Sequence, residues 1–249
     1  MLKTLDLSLK VLELFKERNE WSLKELSEYM DENTTKIYRI VDTLEKRDFL
    51  KKDANTKRYK LGVGILELGN KVNSNFEFKE IIHPYLLYLT EKTGESSFFT
   101  ILEDNQALTL DAVSGKGRIR YAVTTGSTAP LYAGASYRSI LAYLPGYLID
   151  ATLSNRIEQF TKNSKTNPNL IRQDLISIRE NGYAISHGEL TEDVIAVAVP
   201  IFIGGKIIGS LTVSGPAYRI TDKDVDSYIQ ILFETKKIIE MNEQLLKIV

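Results

Sequence analysis

The sequence predicts an α+β protein in two parts, a winged helix-turn-helix of about 60 residues followed by a larger sensor-like α+β domain. Three observations lead there. Between Ser22 and Tyr59, two short amphipathic helices separated by a tight turn run directly into a small basic hairpin. The charge changes sign at that turn: residues 1–32 hold five Lys/Arg against eight Asp/Glu, and residues 33–60 hold nine against four. The rest of the chain mixes helical stripes with strand hairpins, the longest of them almost wholly apolar.

Taken in order, Leu5, Leu9, Leu12 and Phe15, with Val11 and Leu14 beside them, form a first amphipathic helix ending near Asn19. Trp21 opens a short strand expected to pair with the hairpin. Ser22 caps the next helix and Glu25, three residues on, closes a capping box; Leu23, Leu26 and Met30 share its apolar face. Asp31-Glu32-Asn33 breaks it. The second helix of the motif starts at Asn33 or Thr34 and buries Ile37, Ile40, Val41 and Leu44. Thr34, Thr35, Lys36, Tyr38, Arg39 and Thr43 are left facing outward, a donor-rich and hydroxylated set suited to the major groove. Phe49–Lys52 and Lys57–Leu61 flank the turn Asp53-Ala54-Asn55-Thr56. Lys51, Lys52, Lys57 and Arg58 of this wing are expected on a phosphate backbone, with Ser22 beside them. The partner so implied is double-stranded operator DNA. Gly62-Val63-Gly64 punctuates, Ile65–Val72 reads as a linker helix, and Asn73-Ser74-Asn75 is a polar break. The expected division is therefore 1–65 for the winged helix, 66–76 for the linker and 77–249 for the second domain.

That domain opens with a helix over about 77–92, stopped by Gly94. Strands are expected at Ser97–Leu102 and Ala107–Val113 around the turn 103–106, and again at Arg118–Thr124. Helices follow at Tyr137–Leu144, in a second stretch after Pro145-Gly146, and at Leu170–Arg179. Tyr183–Ser186 is strand-like. Val194–Ile203 and Lys206–Ser214 pair around Gly204-Gly205 and belong in the middle of a sheet. Thr221 with Asp224 caps a last helix running to the C-terminus.

Composition excludes several function classes. The 43% hydrophobic and 26% charged residues are those of an ordinary globular chain. No apolar run reaches membrane-spanning length, and Met1-Leu2-Lys3 leads straight into an amphipathic helix, so neither membrane insertion nor a signal peptide is expected and the cytoplasm is the expected location. Cysteine is absent, removing disulfides and thiolate chemistry. Of the two histidines, His83 is expected to be structural. His187 with Glu189 and Asp193 sketches a metal set, but a hydrogen-bonding loop histidine is the plainer expectation. Ser114-Gly115-Lys116-Gly117 lacks P-loop spacing. No carboxylate pair is spaced for acid–base work, so no catalytic residue, metal or cofactor is assigned.

Together the pieces resemble the IclR family of transcriptional regulators over nearly the whole chain. The resemblance rests on Leu44–Phe49, Arg58–Gly62, His83-Pro84, Glu91–Glu95, Gly182-Tyr183-Ala184 and Leu211–Pro216, in the family's order. It implies an N-terminal winged helix, a C-terminal effector-binding domain similar to the GAF and PAS sensors, and a repressor that assembles as a dimer or a dimer of dimers. It also implies a small organic effector, a carboxylate or an aromatic, held near Ala135, Ser136, Ser186, Ala196, Thr212 and Ser214. Apart from the resemblance, Arg118 and Arg120 alternate on an expected strand and share a face, which suits either an anionic effector or plain surface placement. Ser186-His187, Ala196, Tyr137 and Asp193 depart from the family's pattern and imply either a different ligand or none. The competing function is a small-molecule sensor or enzyme whose winged helix serves protein interaction; salt-dependent binding to promoter DNA separates the two.

Overall fold

The computed structural model describes residues 2–74, 77–103 and 106–248. The chain divides into two compact units, Met1–Phe76 and Glu77–Val249.

In the first unit, α1 (Lys3–Glu13) and a 3₁₀ turn (Leu14–Lys16) precede α2 (Leu23–Tyr29) and α3 (Thr34–Glu45). The capping box forms: the Glu25 N–H donates to Ser22 Oγ and the Ser22 N–H donates to Glu25 Oε2. Asn33 caps α3 through Thr35 N–H. The wing is β1 (Leu50–Lys52) against β2 (Tyr59–Leu61), with Lys51 opposite Lys60. Trp21 bridges Tyr59 as the sequence suggested. The core joins Leu7, Val11, Leu14 and Phe15 to Trp21, Leu26, the four apolar residues of α3, Leu50 and Tyr59. The stripe expected on α1 is thus partly the wrong one. Leu5 and Leu9 are more than half exposed, while Leu7 is buried; the helix carries two apolar stripes, and periodicity cannot choose between them.

The linker also differs from expectation. Helix α4 runs Val63–Ser74, beginning among the glycines rather than after them. Gly62 and Gly64 are packing devices here: a Cβ on Gly62 would sit 2.1 Å from the Asp48 carbonyl oxygen, and one on Gly64 would sit 2.7 Å from the Phe49 ring. Their N–H groups donate to Phe49 O and Asp48 O, binding the helix start to the wing's entry. Asn75 of the expected polar break and residues 75–76 of the expected linker lie outside the described residues, as do Asp104 and Asn105 of the expected turn.

The second unit is a five-stranded antiparallel sheet of order β4-β3-β7-β6-β5, with β3 Ser96–Glu103, β4 Gln106–Val113, β5 Ala184–His187, β6 Val194–Ile203 and β7 Lys206–Pro216. The apolar hairpin supplies the middle strand, β7. Helices α5 (Glu77–Thr93) and α9 (Asp222–Glu240) cover one face. The other face packs against α6 (Gly134–Leu141), with α7 (Gly146–Ser154) and α8 (Pro168–Asn181) completing that core. Thr221 and Asp224 form the expected capping box, but the final helix breaks at Met241-Asn242 and restarts as α10 (Glu243–Ile248). The strand expected at Arg118–Thr124 does not form. Between β4 and α6 the chain is irregular, with one isolated bridge from Leu108 to Thr128. Its ties come from side chains instead: Ser96 Oγ donates to Tyr121 O and Arg219 Nη1 donates to Ile119 O. Among the described residues no helix is long and apolar enough to cross a membrane.

Candidate nucleic-acid interface and ligand cavity

Burial of Ile37, Ile40, Val41 and Leu44 turns the opposite side of α3 outward. Thr34, Thr35, Lys36, Tyr38, Arg39 and Thr43 are all exposed. They do not form one uniform face. Thr35, Lys36, Arg39 and Thr43 line a shallow groove together with Asn33 and Ile40, and with Thr4 and Ser8 of α1, which the sequence did not single out. Tyr38 lies outside that groove. Several cations are already engaged: Lys36 with Glu32 at 2.8 Å, Lys46 with Asp42 at 2.8 Å. Arg39 has no recorded ion-pair partner among the described residues.

On the wing, Lys51, Lys57 and Lys60 are exposed, and Lys52 lies 5.2 Å over the Tyr59 ring. Lys51 and Lys60 face each other across the hairpin, an arrangement that repels unless an anion lies between or above them. Lys60 was not among the expected contacts, although its register makes it the partner of one. Arg58 has another environment. It is half-buried, and its Nη2 donates to both Glu25 carboxylate oxygens at 2.8 and 2.7 Å. Ser22 is spent on the cap. The Ser22 N–H and the Arg58 guanidinium together hold the Glu25 carboxyl down at about 2.

In the second unit, a cavity of about 290 Å³ lies over the α6 face of the sheet. Phe98, Ala196 and Ser186 form its strand side; Ala133–Tyr137 bring the start of α6; Tyr121, Val123 and Ser127–Pro130 come from the irregular segment; Phe160 and Glu189–Thr191 close it. Helix α6 begins at Gly134, so Gly134, Ala135 and Ser136 are its first turn. The first N–H groups of a helix have no intrahelical acceptor, and its N-cap, Ala133, offers no side chain to take their place. Gly134 adopts φ +68°, and a Cβ there would lie 3.9 Å from Ser186 Oγ and 3.7 Å from Leu190 Cβ, inside the mouth of the helix. The Ser136 hydroxyl bonds Thr100 and Ser210 at 2.6 and 2.8 Å, fixing the helix start to the sheet. Burial pushes the Tyr137 hydroxyl above the usual phenol range.

Of the expected effector ligands, Ala135, Ser136, Ser186 and Ala196 are therefore brought together on the wall. Thr212 and Ser214 are not on it. Strand register puts them on the same sheet face, Thr212 beside Phe98 and Ala198, Ser214 beside Ser96 and Ala196, but fully beneath the surface. Neither hydroxyl has a hydrogen-bond partner among the described residues. Arg118 is exposed and absent from the wall, because the strand that would have aimed it does not form. Among the described residues Glu189 is the one charged side chain on the wall. It is neutralised by Arg138, 1% exposed, whose Nη2 donates to it at 2.6 Å and whose Nη1 donates to its other oxygen. No local pattern marks this pair, since the partners are 51 residues apart. His187 is exposed, and no cluster of three potential metal ligands occurs among the described residues. His83 Nδ1 lies 2.6 Å from Asp111 Oδ2.

Two family models match. The one described as "IclR helix-turn-helix domain" covers residues 4–54, and "Bacterial transcriptional regulator IclR C-terminal" covers 70–240. The chain is 29% identical over 222 residues to the HTH-type transcriptional regulator KipR of Bacillus subtilis, covering 88% of each. An IclR transcriptional regulator from Alicyclobacillus acidocaldarius superposes with a TM-score of 0.82 at 28% identity, covering 96% of this chain and 98% of that one. An IclR homologue of Microbacterium hydrocarbonoxydans, complexed with 4-hydroxybenzoate, shares the fold with a TM-score of 0.81 at 21% identity, covering 99% and 100%.

Proposed function

The chain belongs to the IclR family of bacterial transcriptional regulators, and on that premise we propose that it reads an operator with α3 and the wing and releases it, as a repressor, on binding a small aromatic or apolar carboxylate in the cavity of its second unit. The observation that carries the ligand class is the uncapped start of α6 opening into an apolar, aromatic-walled cavity, with no lysine, arginine or histidine among the described residues of its wall. A helix N-terminus with nearby hydroxyls binds a carboxylate without a buried counter-charge. Ser186 Oγ supplies one such hydroxyl at the mouth; Thr212 and Ser214 supply unpaired ones beneath it. Glu189 faces the cavity already neutralised by Arg138, so it does not repel an anion strongly. The 4-hydroxybenzoate held by the Microbacterium homologue is a ligand of this chemistry.

For DNA, Arg39 is the base reader, and Lys51, Lys57 and Lys60 are phosphate contacts, with Lys52 beside them. Thr34, Thr35, Lys36, Tyr38 and Thr43 complete the surface. One winged helix covers a half-site, so the working unit is a homodimer. Leu5 and Leu9 on α1, with Leu2 at its N-cap, make an exposed apolar stripe of the kind a second copy would cover. The place of action is the cytoplasm, where the operator is. Titration of a duplex enriched by the protein from a random library, at several salt concentrations and with benzoate and 4-hydroxybenzoate as probes, tests both halves. Salt-insensitive or absent DNA binding would favour a winged helix used for protein interaction.

A further inference from the structure

The wing is a hairpin of three residues per strand, too small to hold its own position. Three attachments fix it. Tyr59 and Trp21 exchange backbone hydrogen bonds, 3.0 Å from the Trp21 N–H and 2.7 Å from the Tyr59 N–H. Leu50 and Tyr59 are buried in the core of the unit. The third is charged: Arg58, immediately before β2, reaches across to Glu25 at 2.7 and 2.8 Å, with Glu20 a further 3.8 Å from its Nε. Glu25 in turn accepts the Ser22 N–H at 2.7 Å. A single carboxylate therefore fastens the wing to the first turn of α2, the helix that supports α3. Among the described residues Lys51, Lys57 and Lys60 have no such ion pair, and all three are exposed.

We propose that Arg58 is a positioning residue, which with Glu25 sets the placement of the wing against the helix-turn-helix, and not a phosphate ligand. This rests on the DNA-binding reading above. The two roles give opposite signs for Glu25. Removing an acid next to a phosphate-binding arginine frees that arginine and tightens DNA binding. Removing the acid that holds a positioning arginine loosens the wing and weakens binding, although the protein becomes more positive. Glu25→Gln is suited to the test because glutamine still serves a capping box. Arg58→Lys is a second probe, since lysine keeps the charge but not the forked geometry.

The experiment measures affinity for a duplex enriched by the full chain from a random library, for wild type, Glu25→Gln, Arg58→Gln, Arg58→Lys and the double Gln variant. Backbone amide exchange over 50–61 and over α3 is followed in the same proteins. The expected result is a loss of about fivefold for each of Glu25→Gln and Arg58→Gln, with no further loss in the double variant. Arg58→Lys should fall between wild type and Arg58→Gln. Exchange should quicken in the wing and not in α3, which a general loss of stability would not produce. Tighter or unchanged binding by Glu25→Gln alongside weaker binding by Arg58→Gln would make Arg58 a phosphate ligand and overturn the proposal. Unchanged binding in every variant, or exchange quickened throughout the unit, would overturn it as well. Wild type that binds no duplex would remove the DNA-binding reading itself.

Discussion

Thr212→Val is expected to act with opposite signs on the ligand-free and the effector-bound protein. Thr212 is 0% exposed in the middle strand of the sheet, and its hydroxyl has no partner among the described residues. Leaving a buried hydroxyl unsatisfied costs about 1–3 kcal/mol. Valine keeps the shape and the strand preference and removes the polar atom, so the second unit should gain about 1 kcal/mol and unfold about 2–4 °C higher. If the same hydroxyl donates to the effector's carboxylate, its loss removes a hydrogen bond to a charged group, about 1.5–3 kcal/mol. Affinity would then fall on the order of 10- to 100-fold. The two units need not unfold together, so the transition of the second is followed by a probe within it, such as near-ultraviolet signals of its tyrosines. Calorimetry with benzoate and 4-hydroxybenzoate gives the second number. A lower or unmoved transition would mean the hydroxyl is satisfied in the ligand-free protein. Unchanged affinity with a raised transition would remove Thr212 from the site.

Other outcomes follow from single contacts. Arg39→Ala should cost about 1–3 kcal/mol on the selected duplex and little on random DNA, while Lys57→Gln should weaken both alike and reduce the salt slope by about one; equal losses for Arg39→Ala on both duplexes would count against base reading. Arg138→Met leaves the buried Glu189 carboxylate unpaired and should destabilise the second unit by about 3–5 kcal/mol, with Arg138→Met/Glu189→Leu recovering much of the loss in denaturant titrations. Glu25 is held at about 2 against an ordinary 4.5, so its contribution to the first unit is present above about 4.5 and is lost as pH falls toward 2; Glu25→Gln should flatten that part of the acid-unfolding curve. Gly134→Ala, strained at φ +68° and placing a methyl in the mouth of α6, should weaken benzoate binding while effector-free DNA binding is retained.

What could be read from the sequence was local. Ser22 with Glu25 and Thr221 with Asp224 are caps whose two partners lie within three residues, and both form. The apolar hairpin of β6 and β7 declared its pairing through the turn at Gly204-Gly205 and its place in the sheet through lack of charge. Where two readings shared one pattern, the pattern failed. Leu5-Leu9-Leu12 and Leu7-Val11-Leu14 are both helical stripes, and only packing against α3 and the wing decides which is buried. Arg118–Thr124 alternates like a strand, yet β4 takes its place at that edge of the sheet, and the segment is held by Ser96 and Arg219 instead.

The site was less legible than the fold for the same physical reason. Exposure of the α3 residues follows from helical periodicity once the buried face is known, so that surface could be written down residue by residue. Which of its cations is free could not. Arg58 looks like its lysine neighbours in a string of basic residues, and only the fold brings Glu25, 33 positions earlier, within 2.7 Å of it. The cavity adds a second lesson. The family resemblance implies an effector near Ala196, Thr212 and Ser214, but a resemblance carries no information on depth. Ala196 reaches the wall, while the two hydroxyls lie under it, beside Phe98 and Ser96. A carboxylate seated at the start of α6 meets Ser186 first. Thr212 is fully buried and pairs in register with Phe98, so an effector that stops at Ser186 would leave its affinity unchanged by Thr212→Val.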